Sequence, residues 1–171
     1  MENIVIRRAA LSDAEALLAV YNHYVAETHI SFDIEPRTIE QRIVWLEGFA
    51  ERGRYQCFVA ERGGKAIGWA SSGRFNERAA YDTSVTTSVY LAPGEGGKGL
   101  GRRLYQALFD ALSKEDVHRC YGGIGLPNAA SVGLHLAMGF QHIGTYREVG
   151  RKFGRYWDVA WYEKAMGRPV T

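Results

Sequence analysis

Residues 83–112 constrain this chain more than any other stretch. Residues 83–91 alternate, with Val85, Thr87, Val89 and Leu91 on one face and Thr86, Ser88 and Tyr90 on the other, the two-residue period of a strand that ends at Pro93. Gly94-Glu95-Gly96-Gly97-Lys98-Gly99-Leu100-Gly101 follows, and Leu100, Leu104, Ala107, Leu108, Ala111 and Leu112 then recur at helical spacing. A helix that starts this way leaves its first backbone N–H groups without partners. Glycines let an anion approach them, and the helix dipole favours its negative charge. The turn is therefore a candidate phosphate site, with a merely flexible connection as the alternative for this segment taken by itself.

Two familiar phosphate motifs do not fit. A nucleotide P-loop needs Gly, four residues, then Gly-Lys and a hydroxyl; Gly94 and Gly99 keep that interval, but Leu100 and Gly101 follow. A dinucleotide fingerprint built on Gly97 and Gly99 needs a third glycine where Arg102 stands.

The remaining pattern is that of a mixed α/β domain. Residues 4–8 alternate as a strand. Ser12-Asp13-Ala14-Glu15 supplies a cap and an acid, with Ala14, Leu17, Leu18, Tyr21 and Val25 at helical spacing behind it. After a loop at 31–37, Pro36 and Thr38 open a second helix through Ile39, Ile43, Leu46 and Ala50 that ends near Gly53. Residues 55–61 and 66–72 form an antiparallel hairpin across Arg62-Gly63-Gly64-Lys65. Residues 118–124 read as a strand, 129–138 as a short helix closed by a left-handed Gly139, and 141–149 and 157–163 as two further strands. No repeat or linker divides the 171 residues, so one domain over 1–171 is expected.

Composition excludes several classes. The net charge is only +2, and the basic residues are scattered in pairs such as Arg7-Arg8 and Arg102-Arg103, which is no platform for nucleic acid. Cys57 and Cys120 lie in apolar runs without CxxC spacing and read as buried free thiols. The five histidines, His23, His29, His118, His135 and His142, have no metal-ligand spacing, so no metal is expected. Met1-Glu2-Asn3-Ile4 lacks the character of a signal peptide, and no apolar run approaches the roughly 20 residues that span a bilayer. A cytoplasmic protein without a membrane partner is expected.

Ser88-Val89-Tyr90-Leu91-Ala92-Pro93 entering the glycine turn, and residues 128–140 later, together resemble the GNAT acetyltransferase superfamily. Nearly the whole chain resembles its phosphinothricin and methionine sulfoximine N-acetyltransferase branch. The resemblance is carried by Ile30-Ser31-Phe32 with Glu35-Pro36 and Thr38, Ala80-Tyr81-Asp82, Gly97-Lys98-Gly99-Leu100-Gly101, Ile124-Gly125-Leu126-Pro127-Asn128, Ser131-Val132-Gly133-Leu134-His135 and residues 150–158. It implies the GNAT fold, a strongly twisted mixed sheet splayed near its centre with flanking helices. It also implies acetyl-CoA as co-substrate, direct attack by the primary amine of a small amino-acid-like substrate, and a homodimer.

Residue by residue, the resemblance assigns the pantetheine arm to the main chain of Val89, Tyr90 and Leu91, with an oxyanion contact from an N–H near Tyr90 or Leu91. The pyrophosphate falls to Gly97, Lys98, Gly99, Leu100, Gly101 and Arg102, and a further cofactor contact to Asn128, which also suits an N-cap. Gly96 replaces the Gln or Arg that usually opens this motif, which removes a side chain but no backbone amide. His135 stands where many members have a tyrosine, as a general acid for the leaving thiolate or as a packing residue on its helix. Thr86 stands where related enzymes carry a glutamate base, which leaves the general base unassigned among Glu35, Glu77 and Asp82. Substrate contacts are expected from Asn76, Glu77, Arg78, Thr86, Thr87 and Ser88, with Arg74 or Arg78 as a carboxylate clamp. Lys152, Arg155 and Trp157 belong to the pocket or to a subunit contact.

Two rival readings stay open. Without its usual base the chain is a non-catalytic acetyl-CoA-binding protein, or its acceptor is a protein N-terminus or lysine.

Overall fold

The computed structural model describes residues 3–167, so the expected single domain over 1–171 extends beyond the described residues at both ends. In chain order the elements are β1 (Ile4–Arg8), α1 (Ala14–Glu27), α2 (Ile39–Glu47), β2 (Cys57–Arg62), β3 (Lys65–Arg74), β4 (Ser84–Leu91), α3 (Leu100–Leu112), β5 (Arg119–Gly125), α4 (Ala129–Ala137), β6 (Gln141–Lys152) and β7 (Arg155–Ala165). The strands form one sheet in the order β1-β2-β3-β4-β5-β7-β6. Among the described residues only the central β4–β5 pair is parallel. The mixed α/β architecture follows the sequence pattern.

Each face of the sheet has its own core. On one, Leu104, Tyr105, Leu108, Phe109 and Leu112 of α3 pack on Val85, Cys120, Ile124 and Ala160. On the other, Leu17 and Val20 of α1 and Leu46 of α2 cover Cys57, Val59 and Trp69. The alternation read along β4 is realised: Val85, Val89 and Leu91 join the α3 core, Tyr90 the opposite one. Both cysteines are buried and free, and burial pushes both thiols up to about 12, which makes them inert.

Several element boundaries differ from expectation for identifiable reasons. Ser12 does not cap α1. A short 3-10 turn, Leu11–Asp13, leads into the helix, and the Asp13 carboxylate accepts from the Ala10 N–H and from both terminal nitrogens of Arg7. Burial alone would raise the Asp13 carboxyl, but the Arg7 guanidinium and the Ala10 N–H bring it below its ordinary value. α2 has the reciprocal Thr38–Gln41 capping box but stops at Glu47, well short of Gly53. The Phe49 ring turns edge-on to Trp45, and the Ala50 N–H donates to the Tyr55 carbonyl, which carries the chain off the helix axis. β6 and β7 run longer than expected because β6 breaks register between His142 and Gly144 and between Tyr146 and Gly150, irregularities that disrupt the alternation read from sequence.

Arg42 shows how the α2 side is held. It is buried, and its guanidinium lies 4.5 Å from the Trp45 ring centroid, 4.7 Å from Tyr21 and 5.4 Å from Trp69. Its Nε has no hydrogen-bond partner among the described residues, so aromatic faces stand in for a carboxylate, and burial lowers its pKa.

Leu108 is fully buried in the α3-side core. Leu108→Ala is expected to destabilise the fold by about 2–5 kcal/mol, measured by urea denaturation.

Candidate functional site

The site begins with a mismatch of strand pairing. The Ala92 N–H donates to the Ile67 carbonyl at 2.8 Å, and the β3–β4 register pairs Trp69 with Tyr90 and Ser71 with Ser88. An antiparallel ladder alternates its bonded pairs, so the main chains of Tyr90 and Ser88 face β3, and those of Thr87, Val89 and Leu91 face the opposite way. On that side β5 pairs only with Ser84, Val85 and Thr86. Beyond Thr86 the two strands part, and a cleft of about 610 Å³ lies between them. Among the described residues no strand stands beside Val89 and Leu91 on the cleft side.

One of these exposed backbone groups is already satisfied. Tyr24, from α1, donates its hydroxyl to the Leu91 carbonyl at 2.7 Å. The Leu91 N–H and both backbone groups of Val89 are left facing the cleft. The N–H of Tyr90 is turned toward Trp69, so it does not serve as the cleft-facing oxyanion donor expected at this residue.

The cleft continues into the glycine turn. Gly94, Gly97 and Gly99 have φ of 82°, 75° and 76°, a region open to glycine and strained for other residues. Gly99 begins α3 and no side chain caps the helix there, so its first-turn N–H groups point into the cleft. Of the expected cofactor residues, Val89, Tyr90, Leu91, Gly97, Gly99, Leu100, Gly101, Arg102 and Asn128 line this space. Lys98 does not; its ammonium turns back to Glu95 at 3.2 Å. Glu95 also receives both terminal nitrogens of Arg62, at 2.7 and 2.9 Å, and this guanidinium holds its carboxyl down at about 2. Asn128 caps α4, its Oδ1 accepting from the Ser131 N–H at 3.1 Å.

His135 lies at the floor of the cleft, buried, with Nδ1 2.8 Å from the Ser131 carbonyl and Nε2 3.1 Å from the Tyr105 hydroxyl. A carbonyl only accepts, so Nδ1 carries the hydrogen; in the neutral ring Nε2 then accepts from Tyr105. Burial lowers the imidazole pKa, outweighing the Ser131 contact, so the ring is neutral at pH 7. Tyr105 itself is fully buried, which raises its phenol far above the ordinary range.

A second cavity of about 420 Å³ adjoins the first, sharing Ile30, Thr87, Ser88, Gly123 and Gly125 with it. Its walls are the hydroxyl side chains Thr86, Thr87 and Ser88 and the apolar groups Phe32, Tyr146, Val149, Val159 and Trp161. None of its lining residues carries a carboxylate, imidazole or cationic side chain. The expected Thr86, Thr87 and Ser88 are here, whereas Asn76, Glu77 and Arg78 are not. Arg74 is tied at the exposed edge to Glu77 (3.1 Å) and Tyr55 (3.4 Å), and the Asn76 side chain accepts from the Arg78 N–H. Glu35 and Asp82 also lie outside both cavities. Sequence reasoning missed Tyr24, Tyr105 and Trp161. The signal available was the Gly122-Gly123 doublet inside a strand, since such glycines mark close approach: His135 fills the space at Gly122 and Trp161 that at Gly123.

A parted strand pair opening onto an uncapped, glycine-rich helix start, with a smaller cavity beside it, defines a group-transfer enzyme that lays a phosphate-bearing donor along β4 and meets a small acceptor. The chain belongs to the acetyltransferase (GNAT) domain family, whose profile matches residues 6–161. It is 52% identical over 165 residues to a phosphinothricin N-acetyltransferase of Streptomyces coelicolor, covering 95% of this chain and 96% of that protein. It is 33% identical over 158 residues to an L-methionine sulfoximine/L-methionine sulfone acetyltransferase of Pseudomonas aeruginosa, covering 92% of each. Among solved structures, a GNAT superfamily phosphinothricin acetyltransferase from Sinorhizobium meliloti in complex with acetyl-CoA aligns with a TM-score of 0.90 at 27% identity, over 96% of this chain and 89% of that one. The family resemblance and the GNAT fold drawn from sequence are borne out.

The neutral His135 predicts a pH signature. Its folded pKa lies below the ordinary 6.5, so its contribution is complete above that value, where both states are neutral. It is lost as pH falls through the window beneath 6.5, where the unfolded chain takes up a proton first. The melting temperature should therefore drop on acidification from pH 7 toward 5, and His135→Gln should flatten that slope while costing about 1–3 kcal/mol at neutral pH.

Proposed function

We propose that this chain transfers an acetyl group from acetyl-CoA to the primary amine of a small amino-acid-like substrate of the phosphinothricin or methionine sulfoximine type. The observation that carries this reading is the junction of the two cavities at Thr87, Ser88 and Gly123, which lets a donor in the cleft meet an acceptor in the smaller space. Acetyl-CoA supplies the thioester carbon that the amine attacks.

The chain's own residues divide the rest. The N–H groups of the glycine turn and of Leu100, Gly101 and Arg102 hold the pyrophosphate, and Asn128 adds a contact while capping α4. Val89 and Leu91 offer the backbone groups for the pantetheine arm, and one of their N–H groups stabilises the oxyanion in place of Tyr90. His135, neutral and accepting from Tyr105, orients the floor of the cleft and does not act as a strong acid. A thiol of pKa about 8.5 leaves as thiolate without a dedicated donor, so His135→Gln should lower kcat only a few fold.

Deprotonation of the amine is left to solvent, because neither Thr86 nor any other group lining the acceptor cavity is a base at neutral pH. The amine of a free amino acid stands beside a carboxylate and titrates above the roughly 7.7–8.0 of a peptide terminus, so only a small fraction is neutral at pH 7 and turnover there is slow. The similarity to enzymes named for phosphinothricin and methionine sulfoximine supports a free amine over a protein lysine or N-terminus. Exposed Tyr146, Val149, Phe153 and Tyr156 along β6 and β7 support a homodimer, and the cytoplasm is the proposed location.

The test is thiol release from acetyl-CoA with L-phosphinothricin, L-methionine sulfoximine and a panel of amino acids and polyamines. Release with either of the first two supports the assignment; CoA binding without any release returns the non-catalytic reading. The rate should climb with pH through the acceptor's own amine pKa. Thr86→Glu should flatten that climb and raise kcat/KM at pH 7 by about tenfold or more, the ordinary worth of a positioned base.

A further inference from the structure

The acceptor cavity is walled on one side by residues 28–38, the connection between α1 and α2, from which Ile30 and Phe32 face inward. The Phe32 ring lies flat on β6 at Gly150, where a Cβ would collide with it, and touches the Gly125 position at 3.8 Å. Its place sets the depth of the cavity. With Phe32 36% exposed, the ring's own packing on Gly150 is incomplete, and the contacts of its neighbours share in holding it there.

The residues on either side of it are pinned. Lys152, two residues beyond Gly150 on β6, is 4% exposed and donates its ammonium to the Ser31 carbonyl at 2.6 Å. The Asp33 carboxylate accepts from the Tyr21 hydroxyl and from Arg37 Nε, each at 2.8 Å, and Ser31 Oγ donates to the Tyr21 hydroxyl at 3.2 Å. Burying an ammonium is unfavourable unless its surroundings compensate. Lys152 has one carbonyl, the face of Phe153 at 5.1 Å and the field of Asp33, and desolvation lowers its pKa all the same. A buried charge that bridges from β6 to the residue next to Phe32 is poorly explained as packing and well explained as a tether.

We propose that Lys152 is a positioning residue that selects the acceptor by holding Phe32 over the amine cavity. The proposal rests on the reading of that cavity as the acceptor site. Freed from Lys152, residues 31–33 swing away from Gly150, the cavity deepens, and a short amine loses its apolar wall.

The test is steady-state kinetics with L-methionine sulfoximine for Lys152→Met, Phe32→Ala and the double variant, with the acetyl-CoA KM measured in parallel. Both single variants should raise the amine KM about tenfold while the acetyl-CoA KM stays within about twofold, and the double variant should be no worse than Phe32→Ala. Gly150→Ala, which displaces Phe32 from the other side and leaves Lys152 intact, should reproduce the amine effect and stands in if Lys152→Met fails to fold. Additive effects in the double variant, or a Lys152→Met protein with an unchanged amine KM, overturn the proposal. Ser88→Phe, which fills the cavity from an exposed position, separates the two levels. If it raises the amine KM while Phe32→Ala does not, the cavity reading stands and the tether falls; if neither does, both fall.

Discussion

Everything in the site depends on one failure of pairing: β5 matches β4 through Thr86 and then leaves it. Backbone N–H and C=O groups are obligatory hydrogen-bonding groups, so a strand edge opened in the middle of a sheet must be answered by something else. The Tyr24 hydroxyl answers the Leu91 carbonyl, and the remaining groups of Val89 and Leu91 are the polar track along which a donor with amide groups can lie. The glycine turn at the end of the same strand supplies the anion-binding end of that track. One strand thus serves both chemical halves of a CoA-like molecule, the amides and the phosphates.

Electrostatics reinforces the arrangement economically. Arg62, from the end of β2, fixes Glu95 inside the turn, so the one acid there is neutralised and the loop keeps its shape without offering repulsion to a phosphate. The acceptor side is the reverse. Hydroxyls and apolar walls dominate it, and the titratable groups nearby, Lys152 and Asp33, are consumed in fixing the connection between α1 and α2.

The parts of this protein that were legible in its sequence are those governed by the backbone. Alternation in β4, glycines at Gly97 and Gly99 and the apolar stripe of α3 are local signatures, and they located the donor cleft and the elements beside it. Side chains that reach across elements were not legible: Tyr24 arrives from α1, Tyr105 from α3 and Trp161 from β7. The facing of Tyr90 also escaped, because which residues of an antiparallel strand bond inward depends on the register of its partner and not on the strand's own sequence. Asn76, Glu77 and Arg78 were misplaced for a related reason. Resemblance located their loop, but the local contacts within it, Arg74 to Glu77 and Asn76 to the Arg78 N–H, depend on the fold and none of the three lines either cavity.

The glycines of β5 carry a consequence for how such a site diversifies. Gly122, Gly123 and Gly125 contribute no volume, and the space beside each is occupied by a ring or backbone from elsewhere: His135 from α4, Trp161 from β7, and Phe32 with the His29 carbonyl from the α1–α2 connection. The glycine stretch of β5 beside both cavities is a blank surface upholstered by three separate elements. Trp161 and Phe32 line the acceptor cavity and His135 the donor cleft, so exchanging either of the first two rings reshapes the acceptor space while the floor beneath the donor keeps its hydrogen bonds.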